Sequence, residues 1–307
     1  MLLAVALGTI ALSPKEVWNA LLGHGSSSAV TIVRVLRLPR AVLAALIGAG
    51  LGMSGAALQG TMRNPLAEPY LLGVSGGAAV GAVTAVALGL GLTLVPIAAF
   101  AGALAAVFVA FFVAHAAGTS GDARILLMAG VVVGAFANSV IMLVLGSAPA
   151  NVVRDAIWWM MGSVAAATWS DNGWLLTYLI VGGGLLFFWA RQIDVLSLGD
   201  DSAAALGLDP DRTARRIYAA ASLVAAATVA AAGLVGFVGL VVPHIVRGTG
   251  VRQHRSLLAG SALVGAALVV LADLAARTVR PPAELPLGAV TAIVGVPFFL
   301  SRLRRLA

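Results

Sequence analysis

The hydrophobic pattern of this chain is set by where charges are missing. Residues 41–62 contain no Asp, Glu, Lys or Arg, and neither do 69–121, 125–153, 172–190, 217–246, 256–272 and 285–301. A helix of about 20 apolar residues crosses the roughly 30 Å of bilayer hydrocarbon, so these runs predict membrane spans. The long run 69–121 holds two, with Gly89, Gly91 and Pro96 at the turn between them. The run 217–246 is broken by Gly233, Gly236, Gly239 and Pro243 and predicts one full span followed by a short, interrupted one. The run 156–170 is too short to cross, and Trp158, Trp159 and Trp169 predict an interfacial helix there. Residues 1–12 are apolar but too few to span, which predicts an incomplete first helix. No basic residue precedes them and no small-residue cleavage site follows, unlike a signal peptide. The expectation is one all-α transmembrane domain over 1–307, with about ten crossings and both termini on one side.

Composition fixes the class. Hydrophobic residues make up 61%, charged residues 10%, and mean hydropathy is +1.03. Soluble domains are about 25% charged, and a soluble fold this apolar would expose large aggregating patches. A disordered chain, a disulfide scaffold and a nucleic-acid-binding domain are excluded on the same grounds, and there is no cysteine. The net charge of +7 comes from 19 basic residues, all arginine except Lys15. With ten spans and a cytoplasmic C-terminus, 12 basic residues fall inside and 7 outside (Lys15, Arg34, Arg37, Arg40, Arg154, Arg277 and Arg280), which favours that orientation. Spans two to five and seven to ten also share an order: Gly55, Gly60 and Pro65 in one set match Gly233, Gly239 and Pro243 in the other. An offset of five spans would invert the second copy.

Enzyme chemistry is scarce. His24, His115, His244 and His254 have no metal-ligand spacing. No H-E-x-x-H or nucleophile elbow occurs. Lys15 follows Pro14 without a glycine loop, so the chain has no phosphate loop for ATP. Glycines four apart (Gly48 and Gly52; Gly73, Gly77 and Gly81; Gly130 and Gly134) predict close helix crossings, or else a smooth wall for a bulky solute.

Three local features go further. Arg37-Leu38-Pro39-Arg40, with Arg277 and Arg280, reads as snorkelling anchors or as a cationic rim for an acidic partner; Asp273 lies four residues before Arg277, so an internal pair competes. The loop 191–212 is rich in Asp yet keeps Leu196, Leu198, Leu206 and Leu208, which suits either a solvated linker or a short helix that inserts into a partner's groove. The segment 64–78 is a rigid turn fixed by Asn64-Pro65 and Pro69, with Glu68 and Tyr70 at its edge.

Taken in order, several segments carry a resemblance. RLPRAVLAALIGAGLGMSGAALQGTMRNPLAEPYLLGVSGGA at 37–78, WWMMGS at 158–163, LSLGDDSAAALGL at 196–208, GFVGLVVPHIVR at 236–247, ADLAARTV at 272–279 and ELPLGAVTAIVGVPFFL at 284–300 together resemble the FecCD-type permeases. These are the membrane subunits of type II ATP-binding-cassette importers. The resemblance implies ten helices per subunit, a homodimer around a central path, two cytoplasmic ATPase subunits that bind ATP and Mg, and an external substrate-binding protein. It implies no cofactor or metal in this chain. Arg37, Arg40 and Arg277 match the family's docking arginines. Leu196, Gly199, Asp200, Asp201, Leu206, Gly207 and Leu208 match its ATPase-coupling loop. Asn138, Ser147, Asn151 and Trp159 fall where the path and external gate lie. The expected function is import of an iron chelate, haem or ferric siderophore, across a bacterial inner membrane, with cobalamin the nearest rival cargo. From other classes, an ion-coupled secondary transporter would need intramembrane acids or histidines, which are few here, and a membrane-embedded enzyme would need a clustered catalytic set.

Overall fold

The computed structural model describes the chain except residues 9, 11, 92, 117–122 and 304–307; Arg304 and Arg305, two of the arginines expected inside, therefore lie outside the described residues. The described residues form fourteen helices and no strand. The first is α1 (Leu2–Ala6), after which the backbone turns extended at Leu7. In α2 (Pro14–Leu21), Ser13 caps the helix: its Oγ accepts from Glu16 N at 3.3 Å while the Glu16 carboxylate accepts from Ser13 N at 2.8 Å, satisfying two donors that a helix start leaves free.

The third helix, α3 (Ser27–Thr61), is continuous over 35 residues and passes through a π-helical stretch at Ile32–Arg37. It begins well before the charge-free run starting at residue 41, because Arg34, Arg37 and Arg40 all find partners. Then come the short α4 (Val74–Ala87), α5 (Leu94–Ala116), α6 (Ala123–Gly146), and α7 (Ala150–Met160). The short helix expected over 156–170 thus sits at 150–160 instead: Arg154 and Asp155 pair with each other on its exposed side at 3.1 Å, so charge does not end it. Next are α8 (Trp169–Phe188), α9 (Ala190–Leu196), α10 (Asp200–Ala205), α11 (Pro210–Ala232), α12 (Val238–Arg247), α13 (His254–Thr278) and α14 (Leu287–Leu303).

Among the described residues five helices, α3, α5, α6, α8 and α13, are long and apolar enough to cross a bilayer. α11 is 23 residues long but opens with Asp211, Arg212, Arg215 and Arg216; beyond Ile217 it is nearly all buried and forms the centre of the bundle. The order long, short, long occurs twice, in α3 to α5 and in α11 to α13, as the glycine and proline pattern predicts; the helix that follows is long in the first set (α6, 24 residues) and shorter in the second (α14, 17 residues). Both short helices start from a left-handed residue, Gly73 at φ 86° and Phe237 at φ 67°.

The seam between the two sets is made by α3 against α11, α12 and α13. A methyl group added at Gly48 would lie 2.0 Å from Gly265 O, and one at Gly55 would lie 1.9 Å from Gly239 O. These backbones touch, and only glycine permits it. The glycine ridges are therefore mainly crossings, with one exception: Gly134 faces open space.

Candidate functional site

The N-terminal end of α3 holds the arginine cluster. Arg37 is 8% exposed; its Nη1 donates to Val5 O at 2.8 Å and Ala6 O at 3.0 Å, and its Nη2 to Ile10 O. Arg277 is 9% exposed and donates to Leu7 O at 2.8 Å and to Ala4 O, with its Nε 3.5 Å from Asp273 Oδ2. Arg40 grips two carboxylates: Nε and Nη2 lie 2.9 and 2.8 Å from Asp273 Oδ1, while Nη1 and Nη2 donate to Glu284 at 2.8 and 3.0 Å. A buried charge is tolerated only when paired and hydrogen-bonded. Here two acids and the carbonyls of Ala4, Val5, Ala6, Leu7 and Ile10, at and just beyond the end of α1, balance three guanidinium groups. Arg37 and Arg277 point inward, and the sequence pair Asp273 and Arg277 is an internal contact, as the spacing of four allowed. Lys15, Arg34 and Arg280 are exposed, and Arg34 is engaged with Leu21 O at 2.8 Å.

A cavity of about 360 Å³ opens between α4, α6 and the end of α7, lined by Ser75, Gly76, Ala79, Val131, Gly134, Ala135, Asn138, Met160 and Leu234. Ser75 and Asn138 are its polar side chains. Of the expected path residues, Asn138 lines it. Ser147 and Asn151 are exposed at the α6–α7 turn instead, and Trp159 is half-buried beside the cavity without lining it. The end of α7 is fastened to the core by Ser163 N donating to Ala232 O at 2.8 Å and Gly288 N to Met161 O at 3.1 Å. The outward face of α6 is apolar: Val132, Phe136, Met142 and Leu143 are 67–76% exposed.

At the C-terminal end of α3 the polar loop folds onto the bundle. Leu196 and Ala203 are buried and Leu208 is half-buried, while Leu198 and Leu206 are 67% and 66% exposed. Gly199 and Gly207 take positive φ (113° and 81°) around α10, where a side chain would be strained. Asp200 pairs with Arg63 at 2.6 Å, and Asp201 is exposed. The loop is thus not a solvated linker: one face of α10 is held and two leucines project outward.

Several contacts here were not foreseen from sequence. Asp194 accepts from His254 N at 2.9 Å and from its Nδ1 at 2.7 Å. Gln59, 3% exposed, donates to Gly239 O and Leu240 O and accepts from Arg247 at 2.6 Å. The Tyr70 hydroxyl donates to Val235 O at 3.1 Å and accepts from Val235 N at 3.0 Å. Burial pushes the Glu68 carboxyl up to about 7 and the neighbouring Tyr70 phenol above its usual value, since a charge without close partners is disfavoured out of water. The one signal available for these pairs was a lone polar residue inside a charge-free run, which describes Gln59.

The match to known proteins decides the family. The FecCD transport family covers residues 1–305. The chain belongs to that family. A FecCD permease is a multi-pass membrane subunit of an ATP-binding-cassette importer, which explains the absence of a catalytic constellation in the sequence. The cobalamin import system permease protein BtuC of Halobacterium salinarum is 46% identical over 279 residues, spanning 90% of this chain and 74% of that protein. The vitamin B12 import system permease protein BtuC of an Escherichia coli strain is 38% identical over 304 residues, spanning 98% and 91%. A solved structure described as a metal-chelate type ABC transporter in an inward-facing conformation superposes with TM-score 0.88 at 26% identity, covering 99% of this FecCD chain and 94% of that one.

Proposed function

We propose that this chain forms, with a second copy, the path of an ATP-driven importer whose cargo is a corrinoid such as cobalamin. The 46% identity to a protein named as a cobalamin permease over 90% of the chain carries the cargo reading. Two partner ATPase subunits, which hold the ATP and Mg, meet the exposed Leu198 and Leu206 around α10, with Gly199, Asp200, Asp201, Gly207 and Leu208 shaping that surface and Leu196 anchoring it. Closure of the ATPases must favour one arrangement of the dimer over another to do work, and α10 is where that bias enters. The C-terminal ends of α3 and α14 face the cytoplasm, whereas residues 4–7 lie against Arg37 and Arg277 at the opposite end.

At the opposite face an external binding protein docks. The docking role implied for Arg37, Arg40 and Arg277 is exercised through the margin they build: Arg40 fixes the exposed Glu284, and Arg280, four residues before it in the chain, is exposed. Cargo then passes the wall around Ser75 and Asn138, with Ser147, Asn151 and Trp159 nearer the entrance. Few polar groups line it, and weak contacts let a large solute leave as readily as it enters.

Reconstitution with the cognate ATPase and binding protein tests this. Uptake of labelled cyanocobalamin that requires ATP, and that excess ferric siderophore does not compete away, is the expected result. Uptake by this chain alone, driven by a proton or sodium gradient, overturns it. The second reading, an iron chelate as cargo, draws on the structural similarity to a metal-chelate type transporter; competition by ferric siderophore or haem in the same assay selects it.

A further inference from the structure

Among the described residues two that are not glycine sit at positive φ: Phe237 at 67° and Arg63 at 50°. A left-handed backbone is costly for a residue with a Cβ, and the position just after a helix is usually given to glycine. Arg63 occupies such a position. It follows α3, its N–H donates to Gly60 O at 3.3 Å, and Asn64 N donates back to Gln59 O at 3.2 Å, closing the helix end. Nothing in that closure uses the arginine side chain. Where the backbone is strained and glycine would serve, the side chain is the reason for the residue. Phe237 shows the same logic, since its side chain packs directly against Gly295 of α14. The Arg63 side chain reaches Asp200 Oδ2 at 2.6 Å, at the first residue of α10, and its Nη1 lies over Gly199.

We propose that Arg63 is a positioning residue that ties α10 to the end of α3, so that displacement of α10 is delivered to the longest helix of the bundle. The inference rests on the reading of α10 as the ATPase-contacting element. Leu196 and Ala203 anchor the loop by burial, but they hold it against its neighbours generally. The Arg63–Asp200 pair is directional: it joins the start of α10 to the helix that in turn contacts α11, α12 and α13. The pair is largely exposed, and it contributes little to folding, which suits a link that acts in the working cycle rather than in holding the fold.

The test uses the whole importer in proteoliposomes, with ATPase, binding protein and cyanocobalamin as the probe. Arg63→Gly relieves the backbone and removes the link. It should keep or raise the thermal midpoint and retain ATP hydrolysis, while cyanocobalamin moved per ATP falls about threefold, the scale of one exposed ion pair. Arg63→Asp combined with Asp200→Arg should restore that ratio where neither single change does. A wild-type ratio in Arg63→Gly overturns the proposal. Because the chain has no cysteine, Ser202→Cys with Leu66→Cys gives a specific spin-label pair. Its distance should stay fixed through ATP–vanadate trapping and broaden in Arg63→Gly; an unchanged distribution in the variant also overturns the link. If the wild-type importer moves no cyanocobalamin with ATP, the functional reading fails on its own, and the spin-label distances still decide the role of Arg63.

Discussion

At its N-terminal end α3 buries Arg37 and surrounds Arg40 with two carboxylates; at its C-terminal end it leaves Arg63 exposed with a single acid. In the first place each guanidinium has several partners from distant parts of the chain, including the carbonyls of Val5, Leu7 and Ile10 and the carboxylates of Asp273 and Glu284. In the second, side-chain exposures of 42% and 63% leave both charges in water. The cost of breaking a charge pair is dominated by what is left unpaired and buried, so the same chemistry makes a structural knot at one end and a detachable link at the other.

That contrast can be broken most directly at Asp273. Asp273→Ala strips Arg40 and Arg277 of a carboxylate that is 2% exposed; removing one partner of a buried pair costs about 3–5 kcal/mol. The expected outcome is a steep fall in detergent thermal midpoint and in monodisperse yield, and a midpoint near wild type would show that the backbone carbonyls alone hold the arginines. Next in size, Leu206→Asp with Leu208→Asp should strip the ATPase from the purified complex while the isolated chain stays monodisperse. Co-purification at the normal ratio would mean that the leucines at this end meet something else.

Glu68 sharpens the comparison by pH. Its carboxyl is pushed up to about 7 in the folded chain against 4.5 ordinarily, so the folded state holds the proton more tightly than the unfolded state. Its stabilising contribution is full below about 4.5 and is lost as pH rises through about 7. Glu68→Gln should flatten the thermal midpoint across that window; an equal slope in both chains would place the titration elsewhere. The smallest effect belongs to Asp200→Ala, expected to cost no more than about 1 kcal/mol in the same thermal assay. A loss as large as that of Asp273→Ala would erase the distinction between the two ends.

Charge-free runs located most of the helices because the bilayer penalises charge wherever it is unpaired. They failed where pairing lifts that penalty. The beginning of α3 was hidden because Arg37 and Arg40 look like a boundary until their partners, more than 200 residues away in the case of Asp273 and Glu284, are known. α7 was displaced for a local version of the same reason, through Arg154 and Asp155. The outward leucines around α10 were legible as apolar residues in a polar loop. For Arg277 the spacing from Asp273 pointed to its inward turn. The inward turn of Arg37 was not legible, because it depends on backbone carbonyls near the end of α1 that no side-chain pattern records. Nor were Asp194–His254 and Gln59–Arg247, each a single polar residue whose partner the fold brings from far along the chain.

The Tyr70 hydroxyl, which both gives a hydrogen to the Val235 carbonyl and takes one from its amide, substitutes for a missing turn of helix in the second half of the chain with a side chain from the first. One oxygen therefore stitches together the entrances of two half-length helices, one in each half of the sequence. A cut anywhere in the polar loop between them would leave two fragments that still recognise each other through that stitch and the bare glycine crossings beside it, as two leaves of one hinge share a pin.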